Sequence, residues 1–220
     1  MVMARRMTDT VGIAVFAKGP IEGFAKTRLI PRLGPKGAAD LQRRMIERAV
    51  QVALRSELGP VSLWCAPNSE HELFSRLAAD HSIDVHDQSG PDLGARMLNA
   101  FKVLTPHHLV MIIGTDCPVL EQRLLADCAR SLWRGYDAVF LPAEDGGYAL
   151  VGAAKPLPNL FRDIPWGTDR VMHKTRERAR QMGLQVSEPL LVWDIDTPAD
   201  YERAMALGLI ETPSGGEAIL

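Results

Sequence analysis

The residues of this chain best suited to chemistry are carboxylates that each stand just past an apolar run. Asp116 closes Val110-Met-Ile-Ile-Gly-Thr-Asp-Cys-Pro118, Glu144 and Asp145 follow 137–142, and Asp194 and Asp196 follow 185–193. An apolar run without helical gaps reads as a strand buried on both faces of a parallel sheet. Such sheets bind ligands beyond the carboxyl ends of their strands. Carboxylates from neighbouring strands would therefore meet in one crevice and offer the hard oxygens that Mg2+ or Mn2+ requires. On this reading Asp116 and Asp194 are the expected metal ligands. Glu144 and Asp145 are the expected catalytic pair, since adjacent carboxylates raise each other's proton affinity and so create a base. Each also has a plainer role open to it. Asp116, Asp194 and Asp196 suit helix capping, and Asp145 suits the turn Asp-Gly-Gly.

Cations answer these acids. The loop Lys18-Gly-Pro-Ile-Glu-Gly-Phe-Ala-Lys-Thr-Arg-Leu29 carries Lys18, Lys26 and Arg28 between glycines that let a backbone approach an oxyanion. It is neither a Walker A loop nor GxGxxG, and a merely exposed basic loop is the alternative. A second candidate is Gln88-Ser-Gly-Pro-Asp-Leu-Gly-Ala-Arg-Met97, where Gln88, Gly90 and Arg96 would meet a base or a phosphate at a helix N-terminus. Arg96 opposes the helix dipole there, which suits an anionic partner or a salt bridge to Asp92. Trp166 and Thr168 are candidates for an acceptor pocket, with a packed loop aromatic as the alternative for Trp166.

The elements that must position these groups alternate along the chain. Strands are expected at 11–17, 61–66, 83–87, 110–113, 137–142, 148–152 and 185–193. Helices are expected at 35–58, 69–79, from about 90 to 104, 121–133, 169–182 and 198–207. Ser69-Glu-His-Glu72 reads as a capping box, which leaves His71 a solvated imidazole. His107 and His108 sit at the far end of the central strand and receive no role. Strand, loop and helix in succession predict an α/β, doubly wound, mostly parallel sheet with helices on both faces. The turn at Asp145 adds an antiparallel hairpin and makes the sheet mixed. One domain over 11–208 is expected, with a flexible N-terminus over 1–10 and a flexible tail over 209–220. The apolar stretch 207–210 either buries itself or seats a second subunit.

With 25 basic and 27 acidic residues among 220, the formal charge is only −2, which gives no reason to expect nucleic acid as a partner. Three cysteines, an odd number without CxxC spacing, argue against a disulfide framework and a zinc site. Cys65 ends an apolar run and reads as a small core residue. No run reaches membrane-spanning length and the N-terminus has no apolar leader core, so a cytoplasmic protein is expected.

Several blocks occur together and in order: Phe16-Ala-Lys-x-Pro, Gly23-x-x-Lys-Thr-Arg-Leu29, Gln88 to Met97, Gly114-Thr-Asp-Cys-Pro118, Asp145-Gly-Gly-Tyr-x-Leu-Val-Gly152, Pro165-Trp-Gly-Thr168 and Asp194-Ile-Asp-Thr-Pro198. Together they resemble a bacterial glycosyltransferase-like family of the nucleotide-diphospho-sugar transferase (GT-A) superfamily. The resemblance spans about 11–205 and implies the GT-A fold. That superfamily includes molybdenum cofactor guanylyltransferase and phospholactate guanylyltransferase. By position, Asp116 matches the metal-binding Asp of the Asp-x-Asp element, with Gly114 where the first Asp would stand. Lys26 and Arg28 match the cationic loop that guanylyltransferases place on triphosphate. Glu144-Asp145 is similar to the acidic pair where inverting glycosyltransferases place their base.

Three activities follow as expectations. A metal-dependent glycosyltransferase would move a sugar from a nucleoside diphosphate to a small acceptor. A nucleotidyltransferase would release pyrophosphate. A protein that binds nucleotide without catalysis is the third. The family likeness ranks glycosyl transfer first.

Overall fold

A computed structural model describes residues 10–106 and 108–211 of the chain. Expectations for the first nine residues, the last nine and His107 lie outside the described residues. The strands are β1 (Val11–Lys18), β2 (Val61–Ala66), β3 (Asp84–Asp87), β4 (Leu109–Ile113), β5 (Ala138–Pro142), β6 (Tyr148–Ala153) and β7 (Val186–Ser187). They form one seven-stranded sheet in the order β3-β2-β1-β4-β6-β5-β7. β6 alone runs antiparallel to its neighbours β4 and β5; the remaining pairings are parallel. The expected mixed, doubly wound sheet is present.

Six α-helices accompany it: α1 (Ile30–Arg55), α2 (Glu72–His81), α3 (Leu93–Leu104), α4 (Gln122–Trp133), α5 (Val171–Gln181) and α6 (Pro198–Ala206). Alternation along the strands assigns the layers, because side chains of one strand point to opposite faces in turn. Val11, Ile13 and Val15 of β1 and Met111 and Ile113 of β4 pack with α1, α2 and α4. Ala14, Val110 and Ile112 face the other way, toward Met97, Ala100 and Phe101 of α3 and Met172 and Ala179 of α5. A third cluster lies beyond the sheet end, where Leu41 and Met45 of α1 meet Trp193, Ile195 and Tyr201. That cluster anchors the segment carrying Asp194 and Asp196.

Some expected boundaries shift for identifiable reasons. α1 begins with an extra turn before the expected Pro35, and the two parts join across a kink at Gly34, whose φ is +68°. The expected capping box at Ser69 does not form. His71 is the cap of α2, its Nδ1 accepting from the Leu73 N–H at 3.1 Å, so it is not a free surface imidazole. The strand expected over 185–193 shrinks to two paired residues and an isolated bridge between Ala143 and Val192. Pro189 lacks the N–H a ladder needs, and Glu188 is drawn outward by Arg176 at 2.6 Å. The expected tail from 209 is not loose at its start: Leu209 and Ile210 pack on the third cluster, and the Arg44 guanidinium donates to the Glu211 carbonyl. Leu207 remains exposed.

The β5–β6 turn is fastened to α5, where the Met172 N–H donates to the Gly146 carbonyl at 2.7 Å. Gly146 has φ +87°, and a Cβ there would lie 2.0 Å from the Asp169 carbonyl oxygen. Backbone strain and a clash with main chain would add. Gly146→Ala should therefore lower stability by at least about 2 kcal/mol in urea unfolding; a midpoint equal to wild type would show that this turn carries no such constraint.

Candidate functional site

The carboxyl ends of β1, β2 and β4 open into a cleft of about 830 Å³. Its walls include Lys18, Arg28, Gln88 and Arg96, and its floor Gln42, Thr115, Asp116 and Asp196. Phe24, Ile21 and Leu93, all more than a third exposed, stand at its apolar lip. The loop after β1 is set by tight turns in which the N–H groups of Phe24 and Ala25 both donate to the Ile21 carbonyl. Buried Ala25 and Leu29 pin it to the body.

Lys26 is the centre of the floor. Its side chain is 4% exposed, and its Nζ lies 2.8 Å from Asp116 Oδ1 and 3.2 Å from Asp196 Oδ1, while donating to the Ile195 carbonyl at 2.6 Å. Burial alone would lower the Lys26 pKa, but Asp116 and Asp196 outweigh it and the net shift is upward, so the ammonium stays charged. The backbone of Lys26 is left-handed, φ +47°. A lysine held in that conformation is strained, and the buried ion pairs compensate. Lys26 therefore faces the acids rather than standing free for a triphosphate.

The network continues backward. Asp116 Oδ1 accepts from the Thr115 hydroxyl at 3.3 Å, and Thr115 in turn accepts from the buried carboxamide of Gln42 at 3.2 Å. The Asp116 carbonyl accepts from the Ile195 N–H at 2.9 Å, which ties β4's extension to the segment 194–196. Asp194 lies inside this cluster, its Oδ1 shielded from solvent and without a hydrogen-bond partner among the described residues. Burial, then the fields of Asp116, Asp145 and Asp196, raise its pKa to about 8, and Lys26 offsets this only in part.

An all-carboxylate donor set with an orphaned buried oxygen fits a hard divalent cation. Even so, no group of three such ligands is drawn together for direct chelation among the described residues. The ammonium of Lys26 is the cation that holds Asp116 and Asp196.

The other expected residues divide. Lys18 lines the cleft and donates to the Phe24 carbonyl at 3.0 Å. Arg28 lines it as well, and Arg96 does so with Nε on the Gly90 carbonyl at 3.2 Å rather than on Asp92. Asp92 instead caps α3, accepting from the Ala95 N–H at 2.8 Å. Gly90 lies outside the cleft lining; a Cβ there would meet Ala95 at 2.8 Å, so it allows the close turn into α3. Asp145 accepts from the Gly147 N–H at 2.9 Å, the turn-forming role, while remaining near enough to act on Asp194.

Glu144 runs against expectation. It receives two hydrogen bonds from Arg203, at 2.8 and 3.2 Å, and its pKa is lowered, not raised. Arg203 is itself held over the Trp193 ring at 4.2 Å. A carboxylate so occupied is a poor base.

Neither Trp166 nor Thr168 lines the cleft. Trp166 covers Gly94, where a Cβ would lie 2.6 Å from the indole, and the Thr168 hydroxyl closes a local turn onto Pro165 at 2.7 Å.

Asp196 was expected in the crevice with helix capping as its alternative, and Thr197 and Asp200 form the capping box of α6 and leave Asp196 to Lys26. One residue of the floor escaped the sequence reading. That residue, Gln42, was legible: a carboxamide in register with Met45, Ile46 and Ala49 on a buried helix face needs polar partners.

Fold and cleft together define a transferase with the nucleotide-diphospho-sugar transferase fold. The chain belongs to the bacterial family described as "Uncharacterized protein conserved in bacteria (DUF2064)", which it matches over residues 36–168. It is 27% identical to phosphoenolpyruvate guanylyltransferase of Mycobacterium marinum over 92% of this chain and 91% of that protein. A solved structure of a putative nucleotide-diphospho-sugar transferase from Desulfovibrio desulfuricans is 30% identical with a TM-score of 0.77, over 85% of this chain and 82% of that one. Glucosyl-3-phosphoglycerate synthase of Mycobacterium tuberculosis, solved with Mn2+, UDP and glucosyl-3-phosphoglycerate, is a likeness of fold alone. It shares 11% identity at a TM-score of 0.55, over 92% of this chain and 77% of that one. No helix among the described residues is long and apolar enough to cross a membrane.

The raised pKa of Asp194 has a defined sign in stability. Above its ordinary value of 3.8 the unfolded chain has released this proton, while the folded protein keeps it up to about 8. The folded state is therefore progressively disfavoured as pH rises through that window. In metal-free buffer, Asp194→Asn should flatten the fall in Tm between about pH 5 and about pH 9 and raise Tm at the upper end. A slope equal to wild type would remove Asp194 as its source.

Proposed function

We propose that the protein is a nucleotidyltransferase that joins a nucleoside monophosphate to a small anionic acceptor and releases pyrophosphate. The observation that carries this reading is that one cleft is lined both by the cations Lys18, Arg28 and Arg96 and by the acids Asp116 and Asp196. Three cations in one cleft match the charge of a triphosphate, and an arginine fork suits phosphate oxygens. The guanylyltransferase likeness over nearly the whole chain supports the same reaction.

The acceptor oxygen attacks the α-phosphorus, and the bond from that phosphorus to the bridging oxygen of the β-phosphate breaks. The electron pair leaves with pyrophosphate. Lys18, Arg28 and Arg96 hold the leaving group and spread its charge, and little else is asked of the protein beyond alignment. Asp116 and Asp194 are the residues that would hold Mg2+ or Mn2+, which would neutralise phosphate charge. An acceptor already ionised, such as a phosphate or carboxylate, needs no base, which agrees with Glu144 being tied to Arg203.

Glycosyl transfer from a nucleotide sugar is the second reading. It draws on Asp145, whose charge acts on Asp194, and on the likeness to the Desulfovibrio structure.

The two readings part on the product. With Mg2+, a nucleoside triphosphate and phosphoenolpyruvate or another phosphorylated carboxylic acid, pyrophosphate should appear. Arg28→Ala should slow its release by about tenfold or more, and Asp116→Asn by about a hundredfold. Nucleoside diphosphate released from a nucleotide sugar, with no pyrophosphate from any triphosphate, would overturn the first reading in favour of the second.

A further inference from the structure

Gln88 stands where β1 and β2 end at the cleft, and its hydrogen bonds fix more than its position. Its backbone N–H donates to the Cys65 carbonyl at 2.8 Å and continues the β2–β3 ladder by one step. Its side-chain nitrogen donates to the Trp64 carbonyl at 2.9 Å and more weakly to the Ala17 carbonyl at 3.4 Å. Both partners are pure acceptors, so the carboxamide has one orientation: nitrogen on the strand ends, oxygen turned away from them. That oxygen takes no hydrogen bond from a described residue and is not among the buried, unpartnered atoms, so it is open to solvent, and Gln88 lines the cleft.

The surroundings sharpen what this oxygen selects. The cleft lining also includes Phe16, Ala17, Ala66, Pro67 and Leu93, whose side chains bring no polar atom. A flat heterocycle can lie on them, and Gln88 Oε1 is then the group that meets its polar edge. A freely rotating glutamine offers a donor and an acceptor side by side and pairs with adenine in that way. Gln88 has spent its donor on the strand ends and presents an acceptor alone. Guanine answers it with two adjacent donors, the ring N1–H and the exocyclic amine. Adenine answers with one donor, its exocyclic amine, and sets the lone pair of N1 beside the same oxygen.

We propose that Gln88 is the base-selecting residue of the cleft, its locked carboxamide oxygen accepting from the N1–H edge of guanine. The inference rests on the nucleotide reading of the cleft, but it does not depend on which group is transferred.

Binding calorimetry on the full chain with Mg2+ and each nucleotide tests it. Wild type should bind GTP at least about tenfold more tightly than ATP, since guanine meets the oxygen with two donors where adenine meets it with one beside a repelling lone pair. N1-methyl-GTP, in which the critical donor is gone, should bind as weakly as ATP. This arm needs no variant and is immune to misfolding. In Gln88→Met, GTP should weaken while ATP holds, bringing the two within about threefold. Equal binding of GTP and N1-methyl-GTP by wild type, or an undiminished GTP preference in Gln88→Met, would sink the assignment. Pyrophosphate release with no base preference overturns Gln88's role alone. A GTP preference without pyrophosphate release overturns the reaction and leaves Gln88 in place.

Discussion

The buried ammonium of Lys26 is the constraint on which the site depends. It joins three segments that are far apart in sequence: the loop after β1, the end of β4 at Asp116, and the stretch from Asp194 to Asp196 before α6. Several carboxylates in so small a space would repel one another without a cation among them, and desolvation would make the repulsion worse. Lys26 balances part of that charge from a left-handed backbone conformation. Asp194 is not relieved: its burial first, and then the neighbouring carboxylates, raise its proton affinity.

Both signs of charge share the cleft: Lys26 is buried between Asp116 and Asp196, whereas Lys18 and Arg28 are exposed at its lining and Arg96 is half-buried. A polyanion in this cleft would meet cations and acids together, and a divalent cation between its charge and the acids would relieve both. Gln42, Thr115 and Asp116 form a hydrogen-bonded line that braces Asp116 from behind.

Much of this was legible in the sequence because it is periodic or local. The strands β1, β2, β4 and β5 declare themselves as unbroken apolar runs, and the Asp-Gly-Gly turn marks the β5–β6 hairpin. The acids at the strand ends follow from the parallel sheet. Pairings between distant residues were not legible. Nothing near Glu144 in the chain announces Arg203, and nothing near Lys26 announces Asp196; each meeting is created by α6 folding back over the strand ends. Glu144 thus reads as a base in sequence and as half of an ion pair in space. The last strand failed for a different reason, since an apolar pattern cannot foresee that Pro189 and the pull of Arg176 on Glu188 interrupt the ladder.

The antiparallel direction of β6 has its own consequence. β6 carries the chain away from the cleft, and α5 begins again beside Gly146, on the cleft side. Residues 154–170 must therefore travel back along the face of the sheet with no α-helix and only a short 3-10 turn at Pro158–Leu160. What fastens this return strap is largely side-chain contact: Phe161 stacked on Phe101, Trp166 seated on Gly94 and against Tyr148. A ladder of backbone bonds opens cooperatively, but a strap held at a few aromatic rivets can loosen one rivet at a time and at lower free energy than the sheet beneath it. The helix those rivets touch, α3, also carries Arg96, so the strap and part of the cleft lining share one support.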